Sequence, residues 1–301
     1  MNLPCQLGIG TWAWGDKRVW GYGKGYSDSD LREAFQSSIS AGITLFDTAE
    51  MYGFGKSERL IGQFIDEQKV KVFIATKFAP VPWRLRRHDL TTALKKSLNR
   101  LGLKSVDLYQ IHWPLHLRSL NTWMDALAET VQQGLTRGVG VSNYSADQMK
   151  RAHDRLASHG VSLLSNQVEF SLLHRTPETN GVLKACNDLG IKLISYSPLA
   201  MGVLTGKYST THRLTGCRGI RFNRFLSKIQ ELTDLLNKIG SSHDGKSPSQ
   251  VALNWTICKG SFPIPGAKNS SQARENAGAQ GWSLSDDEIL SIERAADNIQ
   301  A

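Results

Sequence analysis

Four polar residues of this sequence could together do acid–base chemistry on an oxygen atom. Asp47, Tyr52, Lys77 and His112 each stand at or just beyond the end of a short, apolar, β-rich run. A tyrosine has an ordinary pKa of ~10 and is a poor acid at neutral pH unless a nearby positive charge stabilises its phenolate. We expect Lys77, held by Asp47, to lower the Tyr52 pKa and make this phenol a general acid.

The fourth residue adds a hydrogen-bond donor to the same site. A neutral His112 could donate from a ring nitrogen to the oxygen that Tyr52 protonates, and this arrangement suits hydride addition to a carbonyl carbon. Side chains cannot supply a hydride, so a nicotinamide cofactor is implied. Taken without the others, Asp47 and Lys77 could equally form only a buried structural ion pair.

The pattern of strands and helices explains how these residues would meet. Apolar runs alternate along the chain with segments that have helical periodicity, such as residues 31–41 and 123–131. This alternation in 301 residues predicts one domain over residues 1–301, an α/β fold of the (β/α)8 TIM-barrel type. Active sites of such barrels lie at the carboxyl ends of the strands. We expect strands to end near Thr11, Asp47, Lys77, His112, Asn143, Gln167, Tyr196 and Pro265.

Two features depart from a regular barrel repeat. The interval from Tyr196 to Pro265 is far longer than one crossover helix needs, so we expect an extra loop and more than one helix after strand 7. A carboxyl-terminal helix should follow the barrel over residues 285–299, beginning with the helix-capping sequence SDDE.

The rival architecture, a doubly wound nucleotide-binding sheet, lacks its glycine motifs. The glycines at 21–25 follow no strand, and residues 138–143 lack the third glycine of the dinucleotide-binding pattern. The segment at 55–57 resembles the end of a phosphate-binding P-loop, but Glu50 occupies the place of its first glycine. Binding of ATP or GTP through a P-loop is therefore excluded.

Composition narrows the class of protein further. No window approaches the ~18 uncharged apolar residues of a membrane span, and the amino terminus has no secretory pattern. The sequence has four cysteines without metal-binding spacing, Cys5, Cys186, Cys217 and Cys258. This pattern is typical of reduced thiols, so we expect a cytoplasmic protein without a metal site.

The net charge of +9 could favour nucleic acid, an anionic membrane surface or a phosphate-bearing ligand. The basic clusters at residues 84–88 and 213–224 carry no recognition-helix, RNP or zinc-finger pattern. A nucleic-acid partner and a membrane partner are not expected, and we expect a monomer that acts on a small molecule.

Several ordered motifs make the chain resemble the aldo-keto reductases. The similarity covers nearly the whole chain through the segments GIGTW at 8–12, FDTAEMYG at 46–53, ATK at 75–77, DLYQIH at 107–112, GVSN at 140–143, YSPL at 196–199, LTGKY at 204–208, IPGAK at 264–268 and EN at 275–276. Three further segments resemble the chloroplast and cyanobacterial branch of that family: WAWG at 12–15, PWR at 82–84 and HWP at 112–114.

This resemblance implies a catalytic group and a cofactor. It assigns Tyr52 as the general acid, Lys77 and Asp47 as the residues that tune it, and His112 as the residue that orients the carbonyl. The family binds NADPH/NADP+ without a Rossmann fold. The positions implied for the nicotinamide and pyrophosphate are Ser142, Asn143, Gln167, Tyr196, Ser197, Leu199, Gly202, Leu204 and Lys207. Those implied for the adenosine 2′-phosphate and adenine are Gly266, Lys268, Ser271, Gln272, Glu275 and Asn276.

The motifs determine fewer of the residues that would line the substrate pocket. We expect Trp12, Trp83 and Trp113 to form walls of an apolar pocket, although tryptophans also serve ordinary packing. The sequence begins almost at the first strand, whereas the family usually has an amino-terminal hairpin, and it lacks the long carboxyl-terminal tail that narrows the substrate pocket in some members. We therefore expect a broad, exposed substrate pocket and a barrel bottom that is either open or covered by the carboxyl-terminal helix.

The leading interpretation is an NADPH-dependent reductase that converts small aldehydes or ketones to alcohols. The alternative is an NADP(H)-binding regulatory subunit with little turnover, resembling the β subunits of potassium channels.

Overall fold

A closed parallel barrel organises the chain. The structure is a computed structural model that describes residues 3–114 and 119–300. Within those ranges one sheet of neighbouring parallel strands contains β1 (Ile9–Gly10), β2 (Leu45–Asp47), β3 (Phe73–Phe78), β4 (Leu108–Ile111), β5 (Val139–Ser142), β6 (Leu163–Glu169), β7 (Lys192–Tyr196) and β8 (Phe262–Pro263). The (β/α)8 fold predicted from the sequence is confirmed.

The barrel closes where the first strand meets the last. The backbone N–H groups of Gly8 and Gly10 donate to the carbonyls of Pro263 and Pro265, each over 2.9 Å. A Cβ atom at Gly10 would lie 2.7 Å from the carbonyl oxygen of Ile264. Only glycine allows the two backbones to approach so closely at this position.

Helices follow the strands and cover the barrel. Gly102 ends the third of them in the left-handed region at φ 66°, as the glycine pattern predicts. Within the described ranges the helices are α1 (Asp28–Ser40), α2 (Lys56–Gln68), α3 (Arg87–Leu101), α4 (Leu120–Gln132), α5 (Ala146–Ala157), α6 (Thr176–Thr179), α7 (Val182–Asp188), α8 (Gly216–Phe222), α9 (Leu226–Ser241), α10 (Pro248–Cys258), α11 (Ser270–Ala277) and α12 (Asp286–Gln300).

The barrel interior has an apolar floor and a polar top. Side chains two residues apart on a strand share a face, so each of these strands contributes to both layers. The floor contains Leu45, Ala75, Leu108, Ile194 and Phe262. Two residues further along β2, β3 and β4, the same face carries Asp47, Lys77 and Gln110, which are all buried. The strand period itself therefore places the polar residues at the carboxyl ends.

The long interval after β7 holds the expected extra structure. A short 3-10 segment (Ala200–Thr205) follows the strand, and α8, α9 and α10 lie before β8. The backbone is left-handed at Ser197, Ala200 and Met201, with φ of 51°, 48° and 57°. Such conformations are costly for residues other than glycine and concentrate where a loop has a function.

The bottom of the barrel is filled by the amino-terminal segment. Leu3 and Cys5 pack against the apolar floor. Helix α12 packs instead on the outside of the barrel, against α9, and its Glu293 accepts a hydrogen bond from Trp255 Nε1 of α10 over 3.1 Å. Of the two alternatives expected for the bottom, cover by the carboxyl-terminal helix is wrong, because this helix packs on the outer wall.

Two findings bear on the class of protein. In residues 3–114 and 119–300, no helix is long and apolar enough to cross a membrane. Cys5, Cys186 and Cys258 are free thiols, whereas the side chain of Cys217 lies outside the described residues.

Candidate active site

A buried ion pair lies at the centre of the polar layer. Lys77 is 0% and Asp47 2% exposed, and Lys77 Nζ donates to Asp47 Oδ2. The same ammonium donates to the backbone carbonyl of Thr48 over 2.9 Å. Burial alone lowers the Lys77 pKa, but the Asp47 carboxylate and the neighbouring Tyr52 phenol outweigh burial and hold this pKa above its ordinary value. Lys77 is thus a fixed positive charge at neutral pH.

Tyr52 is the third partner of this ammonium. Lys77 Nζ lies 3.2 Å from Tyr52 Oη and 4.9 Å from the centre of the tyrosine ring. The turn at Tyr52–Gly55 places the phenol beyond the end of β2 and over the barrel mouth. The predicted grouping of Asp47, Tyr52 and Lys77 therefore exists in the structure.

The predicted effect on the Tyr52 pKa is only partly correct. Burial raises this pKa most strongly, the Lys77 ammonium lowers it, and the Asp47 carboxylate raises it again. The net shift is upward, so the expectation of a lowered pKa is wrong for the described structure. The contribution of Lys77 has the expected sign, because a positive charge stabilises the phenolate.

His112 faces the same space from the end of β4. Its ring centre lies 5.7 Å from that of Tyr52 in an edge-to-face arrangement. Burial, and then the Lys77 charge, lower the His112 pKa to about 3, so the imidazole is neutral at neutral pH. The buried Nδ1 has no partner among the described residues, and His112 lines the cleft. A buried N–H without a partner is costly, so the tautomer protonated at Nε2 is favoured.

The second oxygen of Asp47 is held by two amides. Gln167 Nε2 donates to Asp47 Oδ1 over 2.8 Å, and Gln110 Nε2 donates to the same atom over 3.3 Å. Ser165 Oγ in turn donates to Gln110 Oε1 over 3.3 Å. Sequence reasoning missed Gln110 and Ser165. Gln110 could have been found, because it precedes His112 by two residues and shares its strand face.

A cleft of about 660 Å³ opens beside this group. Tyr52, His112 and Asp47 lie at one end of it, and most of the residues implied for the cofactor line its walls. These are Ser142, Asn143, Gln167, Tyr196, Ser197, Leu199, Gly202, Lys207, Gly266, Lys268, Ser271, Gln272, Glu275 and Asn276. Leu204 does not line the cleft, because its side chain is fully buried in the core between helices.

The end of the cleft near His112 is fixed by Asn143. This residue is left-handed at φ 61° and donates from Nδ2 to the His112 carbonyl over 3.3 Å and to Ser142 Oγ over 3.1 Å. Its Oδ1 accepts from Tyr196 Oη over 3.1 Å. A strained backbone with a side chain held by three hydrogen bonds is typical of a positioned binding group.

The opposite end of the cleft is positively charged. Lys207, Arg218 and Lys268 line it, and burial together with Arg218 and Lys207 lowers the Lys268 pKa. The Trp20 ring centre lies 5.8 Å from Arg218 Cζ and 5.1 Å from Lys268 Nζ. Arg218 and Trp20 were missed as site residues. Only the basic composition of residues 213–224 pointed to Arg218, and nothing in the sequence pointed to Trp20.

Helix α11 forms the wall next to Lys268. Gln272 Oε1 accepts from the Lys268 backbone N–H over 2.9 Å, and Asn276 Nδ2 donates to the Gly266 carbonyl over 3.2 Å. Glu275 accepts a hydrogen bond from Ser247 Oγ. The loop after β8 and the start of α11 are thereby tied together.

The substrate-side tryptophans divide into two groups. Trp12 and Trp113 line the cleft beside Tyr52 and His112. Trp83 lines neither this cleft nor a second cleft of about 910 Å³ that shares Trp12 and Trp113 with it, and the Trp83 side chain is 79% exposed. The prediction for Trp83 is wrong, because the loop after β3 directs this ring into solvent.

Comparison with known proteins decides the family. The sequence profile described as the Aldo/keto reductase family matches residues 6–297. The chain belongs to the aldo/keto reductase family. It is 44% identical over 304 residues to a chloroplastic pyridoxal reductase from Arabidopsis thaliana, covering 96% of this chain and 82% of that protein. It is 30% identical to the aldo-keto reductase YhdN of Bacillus subtilis, covering 97% of this chain and 90% of that protein.

Solved aldo/keto reductases have the same fold. A glycerol dehydrogenase from Gluconobacter oxydans aligns with a TM-score of 0.85 at 26% identity, covering 99% of this chain and 94% of that one. An aldo/keto reductase from Klebsiella pneumoniae in complex with NADP and acetate aligns with a TM-score of 0.75 at 27% identity, covering 96% of this chain and 90% of that one. The chain is an NADP-dependent oxidoreductase, and its cofactor is NADPH.

The two ends of the cleft have the chemistry that NADPH requires. Burial, and then the charges of Arg218 and Lys207, lower the Lys268 pKa, and a dianionic phosphate between these three residues would offset both effects. At the other end, the cleft is lined by Tyr52, whose hydroxyl accepts a hydrogen bond from the buried Lys77.

Proposed function

We propose that this chain, acting as one barrel domain over residues 1–301, reduces small aldehydes and ketones to alcohols with NADPH. The observation that carries this proposal is the 3.2 Å hydrogen bond between Lys77 Nζ and Tyr52 Oη at the mouth of the cleft. It joins a buried ammonium that is charged at neutral pH to a proton donor that lines the cleft. When bound, NADPH supplies a hydride for the carbonyl carbon.

Tyr52 is the group that protonates the carbonyl oxygen in this proposal. Its raised pKa keeps the proton on the phenol until negative charge develops on the carbonyl oxygen. As the oxygen gains negative charge, the proton moves from Tyr52 Oη to it, and Lys77 stabilises the phenolate that remains. Asp47 keeps Lys77 in position, and Gln110 and Gln167 hold the other oxygen of Asp47.

His112 orients the carbonyl group. Its neutral ring can donate from Nε2 to the oxygen that Tyr52 protonates, so that two donors converge on one atom. A protonated His112 would place a second positive charge near Lys77, and the pKa of about 3 avoids this. The chain's own residues thus bind and orient the oxygen and supply one proton for each hydride added.

The names of two similar proteins agree with a small, polar substrate. The chain shares 44% identity with a protein named for pyridoxal and has the fold of one named for glycerol. Both compounds are small and polar. Pyridoxal itself is one candidate substrate of this chain, alongside other small aldehydes.

A substrate panel tests the proposal. Purified protein with NADPH should oxidise the nucleotide at a steady rate with several aldehydes, and each NADPH consumed should yield one alcohol by chromatography. The same protein with NADPH but without aldehyde is the control for slow oxidation of NADPH by air. Tight NADPH binding without turnover on any carbonyl compound would contradict the proposal and favour the regulatory-subunit alternative.

A further inference from the structure

A second cleft, of about 910 Å³, adjoins the cofactor cleft on its substrate side. Trp12, Tyr52, His112 and Trp113 line both clefts, so the two meet at the candidate reacting groups. A carbonyl held by Tyr52 and His112 would therefore extend the rest of its molecule into this second space, which we call the outer cleft. The loop after β1 and the turn at Tyr52–Gly55 form its walls.

These walls are held in a fixed arrangement. A Cβ atom at Gly53 would lie 2.9 Å from the backbone of Gly15, so the two segments touch. Phe54 is left-handed at φ 55° although it is not glycine, and its side chain is 86% exposed. A strained, exposed aromatic residue at the mouth of a cleft is better explained by a ligand than by packing.

The charges in the outer cleft are not balanced. Lys56 pairs with Asp28 over 2.9 Å. Asp16 Oδ1 accepts from the backbone N–H groups of Val19 over 2.7 Å and of Trp20 over 3.1 Å. Among the residues that the structure describes, no side-chain partner occurs for the last two charged residues of this wall, Lys17 and Arg18.

Lys17 and Arg18 do not belong to the cofactor end of the site. Both line the outer cleft and neither lines the cofactor cleft, where Lys207, Arg218 and Lys268 already supply positive charge. The two exposed cations thus stand beside the apolar surfaces of Trp12, Met51 and Phe54. A molecule that matches this wall has an apolar or aromatic body and an anionic group.

We propose that the outer cleft selects carbonyl substrates that carry a carboxylate or a phosphate, with Lys17 and Arg18 binding the anion. This inference rests on the proposed function, because it names the substrate class of the same site. The aldehyde would lie between Tyr52 and His112, the apolar body against the exposed aromatic rings, and the anionic group at the loop after β1.

Matched substrates test the inference directly. 4-Carboxybenzaldehyde differs from its methyl ester, methyl 4-formylbenzoate, by the negative charge. At low ionic strength we expect the wild type to prefer the anion in kcat/KM by about fivefold or more, the size expected for two solvent-exposed ion pairs. The preference should arise in KM and should decrease with added salt. The pair 4-formylphenyl phosphate and 4-methoxybenzaldehyde tests phosphate in place of carboxylate.

Variants assign the preference to residues. Lys17→Ala combined with Arg18→Ala should bring the ratio of anionic to neutral substrate close to one, while the Kd of NADPH stays unchanged. Lys24→Ala removes an exposed positive charge from the same loop outside both clefts and should keep the wild-type ratio. No preference in the wild type, or an equal loss in Lys24→Ala, would overturn the inference.

A binding measurement separates this inference from the proposed function. 4-(Hydroxymethyl)benzoate and its methyl ester resemble the alcohol products and need no turnover. Calorimetry with protein saturated with NADP+ should show tighter binding of the anion, and this difference should disappear in the double variant. If no aldehyde is reduced but this binding difference is found, the reductase proposal fails while the anion site stands. Equal binding of the two compounds would reject the anion site alone.

Discussion

Gln167 donates a hydrogen bond from its side-chain amide to Asp47 Oδ1 over 2.8 Å. Because the other oxygen of Asp47 accepts from Lys77, the amide that lines the cofactor cleft is directly connected to the ion pair behind Tyr52. Gln110 makes a longer bond of 3.3 Å to the same atom but does not line either cleft. Both glutamines therefore hold Asp47, but only Gln167 also lines the cofactor cleft.

We expect Gln167→Leu and Gln110→Leu each to lower the free energy of unfolding by ~1–3 kcal/mol, because each removes one of the two amide hydrogen bonds to the buried carboxylate of Asp47. Only Gln167→Leu should also raise the Kd of NADPH, which titration of the intrinsic fluorescence measures. If both variants bind NADPH as the wild type does, Gln167 acts only by holding Asp47.

The Lys77 and Asp47 pair should be essential for stability as well as turnover. Lys77→Met leaves a buried carboxylate without its partner, and we expect the free energy of unfolding to fall by ~3–5 kcal/mol at neutral pH. The double variant Lys77→Met/Asp47→Asn should recover much of that loss and remain inactive. Urea unfolding measures the first effect and NADPH oxidation the second. A folded, fully active Lys77→Met would remove the pair from the mechanism.

The stabilisation that Lys77 contributes should decrease at alkaline pH. The folded pKa of Lys77 is raised, so its contribution is complete below the ordinary lysine value of ~10.4 and is lost as pH rises through the folded value. The difference in stability between the wild type and Lys77→Met should therefore shrink at strongly alkaline pH. A difference that stays constant there would show that Lys77 contributes by packing and not by charge.

His112 gives a dependence on acid pH of the opposite sign. Its folded pKa is lowered to about 3, so its contribution to stability is present above the ordinary histidine value of ~6.5 and is lost as pH falls toward the folded value. Between about pH 7 and pH 4 the wild type should lose more stability than His112→Gln. Turnover by the wild type should show no ionisation near ~6.5. A group that titrates there and disappears in His112→Gln would contradict a neutral, buried imidazole.

Lys268 should account for much of the preference for NADPH over NADH. An ammonium paired with a 2′-phosphate contributes ~1.5–3 kcal/mol, so Lys268→Ala should raise the Kd of NADPH at least ~10-fold and barely change that of NADH. Lys207→Ala is the control, because Lys207 is more exposed in the same cleft and should have a smaller effect. An equal loss for both nucleotides would assign Lys268 to another part of the cofactor.

Strand periodicity explains why so much of the site could be predicted. Asp47, Lys77 and His112 could be placed together because the carboxyl ends of parallel strands meet at one face. Residues two apart on a strand share a face, so Gln110 could also have been predicted as a neighbour from the position of His112. Helix ends such as Gly102 were predictable because only a local backbone conformation is required there.

Loops and electrostatic balance set the limit of prediction. Trp83 and Trp20 lie outside the strands, so no period fixes their directions, and the structure places one in solvent and the other in the cofactor cleft. Leu204 matched a family motif but its side chain packs into the core. The net direction of the Tyr52 pKa depends on how strongly burial opposes Lys77, which requires the packed structure.

The most direct test of the account is single-turnover reduction by Tyr52→Phe. The phenylalanine ring can pack as tyrosine does but has no proton to give. With the variant preloaded with NADPH, we expect hydride transfer to a saturating aldehyde to slow by ~100-fold or more, while the Kd of NADPH stays near that of the wild type. A variant that retains more than about a tenth of the wild-type single-turnover rate would show that Tyr52 is not the acid.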